Sequence, residues 1–384
     1  MNIITFHKHV ELHFNKSTGQ SVFKGLPGSH YIFGRAQLVK LSQSQDFQKS
    51  ILKQSLLEPR LANFVARKGE GGNVLVYNGC GGFGDQVMTW PLTLILHNMG
   101  YKVHVLVDPG NAECWSNFSW IRSVNVLPMD LSVFGLFDHH PMFEVVANLD
   151  EHHPQLHPLD SMLFKIGIDP SSVDPALKCV APRFTPDEVT TASNTIFGRR
   201  IGIFQLSAAS RVRSLTPDES VSLLKHVASK FPDIIWYAIY DGIGHTHVFK
   251  DMLKDHPFNV VPYTAPNLRV LWAMIGQAEV CVAPDSMVVH IAGSQGIPCV
   301  GLWGPIDPET RVRYYRNHSP IFKKDACHMA PCHAYTTSFP QYCPTANMPQ
   351  CAVLSAIPFD EIVQKIKVYT DLTGNKSESR GIAT

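Results

Sequence analysis

Residues 283–308 constrain the fold more than any other stretch of the chain. They read Ala-Pro-Asp-Ser-Met-Val-Val-His-Ile-Ala-Gly-Ser-Gln-Gly-Ile-Pro-Cys-Val-Gly-Leu-Trp-Gly-Pro-Ile-Asp-Pro. The pattern is a strand, a sharp turn, a helix, a Gly-Ile-Pro break, a second strand and a Gly-Pro turn. A carboxylate, Asp285, stands at the end of the first strand, where the helix begins, and the second turn carries Trp303, Gly304, Pro305 and Asp307. In an open parallel sheet, ligands bind beyond the carboxyl ends of the strands. A helix N-terminus there offers N–H groups and the positive end of the dipole to phosphate or sugar oxygens. Two consecutive strand ends furnished this way point to a nucleotide-sugar site.

The rest of the chain fits that frame. From Asn73 onward the pattern is βα: a strand over 74–77, a glycine-rich turn over 78–85, a helix from Gln86 to Met99 ending at Gly100, and a strand over 102–107. A second series starts at Arg200, with strands over 201–205, 234–240 and 280–283. Its helices begin at Thr216-Pro-Asp-Glu219, where proline and early acids suit a first turn, and at Leu268. Residues 359–369 read as a terminal helix. Residues 130–195 parse poorly. His139, His140, His152, His153 and His157 fall in a loop-like stretch without helical ligand spacing, so they read as loop histidines, or histidines facing an acceptor, rather than a metal site. Two βα series predict an α/β protein with two Rossmann-like halves and a cleft between them.

Three further motifs carry candidate chemistry. In Gly79-Cys-Gly-Gly-Phe-Gly-Asp85 the glycines let a ligand approach the backbone, and Asp85 stands at a helix start. The spacing departs from a dinucleotide fingerprint, and Asp85 read alone is equally an N-cap. In Leu206-Ser-Ala-Ala-Ser-Arg-Val-Arg-Ser-Leu-Thr-Pro217 the hydroxyls of Ser207 and Ser210 and the guanidinium forks of Arg211 and Arg213 suit a phosphate. Cys327, Cys332, Cys343 and Cys351 lie among prolines and aromatics (Pro331, Tyr335, Phe339, Pro340, Tyr342, Pro344). Four thiolates satisfy a tetrahedral Zn or Fe site, although the tighter C-x-x-C spacing is missing.

Gly84-Asp85 followed by Gln-Val-Met-Thr-Trp-Pro, Asp285-Ser-Met-Val-Val-His290 and Gly304-Pro305 together resemble glycosyltransferase family nine, the heptosyltransferases, over about residues 72–370. The resemblance implies a GT-B-like fold: an acceptor domain over 71–195, a nucleotide-sugar domain over 196–384 with a cysteine finger over 327–351, and an N-terminal extension over 1–70 outside the usual core. It implies Asp85 as the catalytic base, with Gly82, Phe83 and Gly84 on the acceptor side. Donor binding would fall to Ser207, Ser210, Arg211, Arg213, Asp285, Ser286, Met287, His290 and Gly304. Which arginine takes the place of the family's basic residue stays open. Met287 stands where the family has glycine, which narrows the donor pocket or moves the phosphate. His290 reads equally as a satisfied helix-start histidine. The cysteine run is similar to the finger of the autotransporter heptosyltransferases, where thiolates hold iron; four protein ligands leave no open position, so the metal would be structural.

The expected activity is therefore inverting sugar transfer from a nucleotide-diphosphate donor to a hydroxyl on a glycan or protein. No catalytic metal or other cofactor is expected, because arginines and a helix N-terminus can offset the leaving charge. Residues 1–70 carry ten Lys and Arg against four acids, a net of +6, leaving −5 for the remainder. A solvated surface accounts for this, and so does an anionic partner. Three alternatives stay open: transfer to a hydroxylated DNA base, a catalytically silent nucleotide-binding scaffold, and a nucleotide-sugar epimerase. The N-terminus lacks a basic region followed by an apolar stretch, no run of 18 apolar residues appears, and most of the nine cysteines are scattered. These features lead to an expectation of a cytoplasmic location without a membrane span.

Overall fold

Strands buried on both faces need nearly continuous apolar runs, and such runs form the middle of both large sheets. The computed structural model describes residues 2–6, 8–14, 21–33, 38, 41, 44–56, 64–79, 82–143, 156–240, 246–332, 343 and 350–374. Cys80, Gly81, His152, His153, Tyr335, Phe339, Pro340, Tyr342 and Pro344 lie outside these described residues. The chain divides into two compact units, residues 1–150 with 158–178 and residues 151–157 with 179–384.

The first unit opens with β1 (Asn2–Phe6), β2 (Val10–Phe14), β3 (Ser21–Gly25), β4 (His30–Phe33) and β5 (Ile51–Leu56). β1 pairs antiparallel with β4 and β5, and β2 with β3 form a hairpin. Phe6, Tyr31, Phe33 and Phe47 are buried together, with Phe23 packed edge-on to Tyr31 at 4.9 Å between centroids. Aromatic pairs of this kind add about 0.5–1.5 kcal/mol beyond their buried area. The short apolar runs of this segment thus close a small β core.

Next come β6 (Asn73–Asn78), the helix Phe83–Asn98, β7 (Lys102–Val107), β8 (Ile121–Val126), β9 (Met129–Asp130) and β10 (Met142–Phe143). The parallel sheet runs β10-β6-β7-β8. The helix begins three residues before the expected Gln86, because Gly82 acts as its N-cap and Phe83 and Gly84 enter the first turn. Gly100 follows its end at φ +106°, a left-handed position that suits glycine. β9 pairs antiparallel with β4. This joins the N-terminal sheet to the parallel one through a shared core of Ile32, Leu75, Tyr77, Leu106, Leu127, Met129 and Phe134.

The poorly parsed stretch is built of short pieces: the helices Leu131–Phe134 and Pro158–Lys165 and the 3-10 turns Pro170–Ser172 and Pro175–Lys178. His139 packs its ring on Phe64 at 4.6 Å, and His140 Nε2 donates to the Phe134 carbonyl at 2.8 Å. These two histidines serve packing, as loop histidines do.

The second unit contains the helix Pro186–Ile196, β11 (Ile201–Gln205), the helix Pro217–Lys230, β12 (Ile235–Ile239), β13 (Val260–Tyr263) and the helix Leu268–Ile275. β14 (Val280–Pro284), the helix Met287–Ser294, β15 (Cys299–Trp303), β16 (His318–Phe322) and the helix Phe359–Gly374 follow. Thr216 and Glu219 form a reciprocal capping box, and Pro217 takes the first helical position, as the Thr-Pro-Asp-Glu run predicts. The six strands are all parallel, in the order β13-β12-β11-β14-β15-β16. Gly202 in β11 leaves room for Trp236, since a Cβ there would lie 2.5 Å from the indole. Trp236 is fully buried, and removing roughly 200 Å² of such a side chain from water is worth on the order of 5 kcal/mol. Among the described residues, no helix is long and apolar enough to cross a membrane.

Candidate functional site

In the second sheet the strands, counted in chain order within the unit, lie 3-2-1-4-5-6. The order reverses between β11 and β14, which pair directly. Connections leaving two such neighbours diverge, and this is where ligands bind in open parallel sheets. The loop after β11 and the turn after β14 hold most of the candidate donor residues.

The loop after β11 is tied down at several points. Gln205 Nε2 donates to the Ser207 carbonyl, Ser214 Oγ accepts from the Ala208 N–H, and Ser220 Oγ donates to the Leu206 carbonyl, each at 2.9 Å. The residues Arg211–Arg213 form one 3-10 turn. Its tight winding sends neighbouring side chains in different directions: Arg211 is exposed and Val212 enters the core. Arg213 reaches Asp285, with Nη1 3.3 Å from the carboxylate and 3.2 Å from the backbone carbonyl. The two side chains are 18% and 6% exposed. Removing one partner of a pair this buried leaves the other charge uncompensated, a loss of about 3–5 kcal/mol. Of the two arginines, Arg213 is the one that meets Asp285.

Around this pair lie the buried hydroxyls of Ser207, Ser210 and Ser286, without a hydrogen-bond partner among the described residues. A buried polar atom left so costs about 1–3 kcal/mol. All three fall in the loops that adjoin at the β11–β14 reversal. Ser286 is the N-cap of the Met287–Ser294 helix, yet its side chain makes no capping bond. Met287 takes the first helical position, and Trp272 Nε1 donates to its sulfur at 3.1 Å.

His290 is buried, with Nδ1 3.0 Å from the Tyr315 hydroxyl. Burial drives its pKa down to about 4, against the opposing pull of Asp285. The structure therefore places it inside the protein as a satisfied histidine. His318 is lowered to about 3 by burial and then by His290; its Nε2 accepts from Trp303 Nε1 at 3.3 Å. His157 is pushed well down by burial and by Arg311, whose carbonyl its Nε2 meets at 3.1 Å.

Gly304 is buried at the end of β15, where a Cβ would lie 3.0 Å from Cys351 Sγ and 2.9 Å from Leu354 Cγ. Its glycine is explained by this packing. Cys332, Cys343 and Cys351 are buried and Cys327 is partly so. Burial, then Cys351, Cys343 and Cys327, pushes the Cys332 thiol up to about 11. Burial also raises Cys351, with smaller contributions from Cys343 and Cys327. The neighbouring thiols thus add to the burial that disfavours ionisation of Cys332 and Cys351. Among the described residues, however, no group of three or more His, Cys, Asp or Glu side chains is arranged to hold a metal ion. The donor chemistry suits Zn or Fe; a coordination shell is not formed.

In the first unit the sheet order reverses between β6 and β10, and the glycine-rich turn follows β6. Asp85 lies partly buried in the first turn of the next helix. Its carbonyl accepts from Thr89 Oγ1 at 2.8 Å and from Asn78 Nδ2 at 3.3 Å. A Cβ on Gly82 would lie 2.6 Å from Asp85 Oδ2, so the carboxylate folds over a position that only glycine leaves clear. Phe83 and Gly84 are partly exposed beside it. Sequence reasoning passed over Asn78 and Thr89, although an asparagine closing a strand before a glycine turn is a readable signal. Asp108 follows β7 directly and stands at the N-cap position of the 3-10 turn Pro109–Trp115, without a side-chain capping bond.

Residues 246–343 match the family model of glycosyltransferase family 9 (heptosyltransferase). The resemblance to family nine is borne out. No curated protein matches. Among solved structures, a family 9 glycosyl transferase from Veillonella parvula is 13% identical, with a TM-score of 0.59 over 80% of this chain and 99% of that one. The E. coli ADP-heptose lps heptosyltransferase II gives 11% and 0.52, over 79% and 99%. The iron-containing dodecameric glycosyltransferase TibC of enterotoxigenic E. coli gives 12% and 0.52, over 97% and 93%. At such identities the likeness concerns the fold, which is GT-B-like α/β with parallel sheets.

The buried histidines set a pH dependence. His290 and His318 have native pKa values near 4 and 3, below the ordinary 6.5. The unfolded chain therefore takes up protons first as pH falls, so their contribution is fully present above about pH 6.5 and shrinks below it. Urea unfolding should lose on the order of a few kcal/mol between pH 6.5 and 4 from these groups. The variant His290→Gln should flatten that slope; an unchanged slope would remove His290 as its source.

Proposed function

We propose that the chain is an inverting glycosyltransferase that takes a nucleotide-diphosphate sugar, of heptose type or similar, and passes the sugar to a hydroxyl of a glycan or protein. The observation that carries this reading is the Arg213–Asp285 pair at the β11–β14 reversal, beside three buried serine hydroxyls and a helix N-terminus. Guanidinium, hydroxyls and helix N–H groups together suit a diphosphate, and a carboxylate suits sugar hydroxyls. TibC has been crystallised with ADP-D-beta-D-heptose, which supports a heptose donor as the first candidate.

In this reading Asp85 accepts the proton of the acceptor hydroxyl as its oxygen attacks the anomeric carbon. The bond to the diphosphate breaks on the opposite face and the configuration inverts. Arg213 and the N-terminus of the Met287–Ser294 helix stabilise the departing charge. Arg211, exposed at the rim, contributes less. The first unit would serve the acceptor and the second the donor.

A structural metal belongs to the same proposal. Burial and the neighbouring thiols raise Cys332 and Cys351, a conflict that a bound cation would relieve, and TibC is iron-containing.

Thermal-shift titration with ADP-, GDP-, UDP- and CMP-linked sugars tests the donor site; a ligand at 100 times its dissociation constant stabilises by about 2.7 kcal/mol. Arg213→Ala should weaken the best of these by tenfold or more, and Arg211→Ala by much less. Equal, small effects would move the diphosphate elsewhere. For the base, Asp85→Asn should lower turnover by about 100-fold or more with donor affinity unchanged. Gly82→Ala, which displaces the carboxylate without removing it, should give an intermediate loss; wild-type turnover in both would leave Asp85 a helix-start residue. Metal analysis should find about one Zn or Fe per chain, reduced along with stability in Cys343→Ser; metal-free protein with freely titrating thiols would remove the metal.

A further inference from the structure

Met287 occupies the first position of the donor-side helix, where an unrestrained side chain would reach across the first-turn N–H groups. Methionine has three rotatable bonds and a soft sulfur, so an unrestrained chain there would compete with any bound phosphate. Its sulfur instead meets the Trp272 indole N–H at 3.1 Å, which directs the thioether towards the Leu268–Ile275 helix. Trp272 is itself fully buried and held. Its backbone carbonyl accepts from Gln295 Nε2 at 3.0 Å, beyond the far end of the Met287–Ser294 helix. The Arg269 guanidinium lies over its ring at 5.7 Å. Arg269 is in turn buried and fixed by Glu188, at 3.0 Å from Nε, and by the Arg183 carbonyl. A chain of fixed side chains thus runs from the Pro186–Ile196 helix through Arg269 and Trp272 to the first residue of the donor-side helix.

We propose that Trp272 is a positioning residue for diphosphate recognition: its indole N–H holds the Met287 side chain back and so keeps the helix N-terminus open to phosphate. This rests on the donor reading above. It also accounts for a methionine at a place where the resemblance leads one to expect glycine. The bulk is accepted because a partner two elements away restrains it. An N–H···S contact is weak, but it has only to bias rotamers of one side chain.

The test is calorimetric titration of the full-length protein with ADP, GDP, UDP and CDP, each measured on four proteins: wild type, Trp272→Phe, Met287→Gly and the double variant. Trp272→Phe keeps a ring and removes the N–H. It should weaken the tightest diphosphate by about tenfold, a shift of roughly 1.4 kcal/mol. The double variant should bind like Met287→Gly, whatever affinity that variant itself shows, because without the methionine there is nothing to restrain. Met287→Leu, of similar size but unable to accept the N–H, should reproduce the loss and serves where Trp272→Phe folds poorly. Wild-type affinity in Met287→Leu, or a Trp272→Phe loss that persists beside Met287→Gly, overturns the inference while leaving the donor site standing. Wild-type protein that binds none of the four overturns the donor reading and this inference with it.

Discussion

Parallel strands joined by right-handed crossovers can wind outward from a first strand in either direction. Where the direction reverses, two neighbouring strands send their chains to opposite faces, and the sheet edge between them is left uncovered. Both units obey this constraint: the reversal falls between β6 and β10 in one and between β11 and β14 in the other. The residues of chemical interest follow from it. Asp85 belongs to the connection leaving β6, and Arg213 and Asp285 belong to the two connections that diverge at β11 and β14. A carboxylate and a guanidinium far apart in sequence meet because the winding leaves their loops adjoining.

The second reversal is supported by an interior that is unusually polar. Asp285, His290, Arg311 and His157 are all buried, and burial keeps His157 and His290 neutral at ordinary pH. Among the described residues three serine hydroxyls there lack a hydrogen-bond partner, a local cost set against the inner strands β11, β12, β14 and β15, which are almost wholly buried. Sites that break local rules within a consistent scaffold are where function is to be looked for.

Much of this was readable in the chain. Strands 102–107 and 201–205 fall where their apolar runs place them, and the Thr216-Pro-Asp-Glu start became a capping box. What could not be read has specific causes. Apolar periodicity is silent about a single 3-10 turn, so it could not show that Arg213 rather than Arg211 meets Asp285. The helix start at Phe83 was hidden because Gly82 caps it without a side chain. Residues 130–178 resisted because two-residue strands and 3-10 turns carry too few positions to show a period. Gly304 looked like part of the ligand turn, yet its missing Cβ makes room for Cys351 and Leu354. The partner of Met287 lies fifteen residues upstream, on another element, beyond any local pattern.

The two-residue strand β9 has a consequence out of proportion to its length. By pairing with β4 it threads a piece of the central chain into the N-terminal sheet, and Ile32 shares one core with Leu75, Tyr77 and Leu106. The amino-terminal segment is therefore not a cassette that recombination or a shortened expression boundary can exchange at will. Cutting at the glycines near residue 70 would strip an apolar face from the neighbouring sheet and leave β9 as an unpaired edge, an invitation to self-association. Swapping this segment between chains of the same fold would require carrying residues 129–134 along with it.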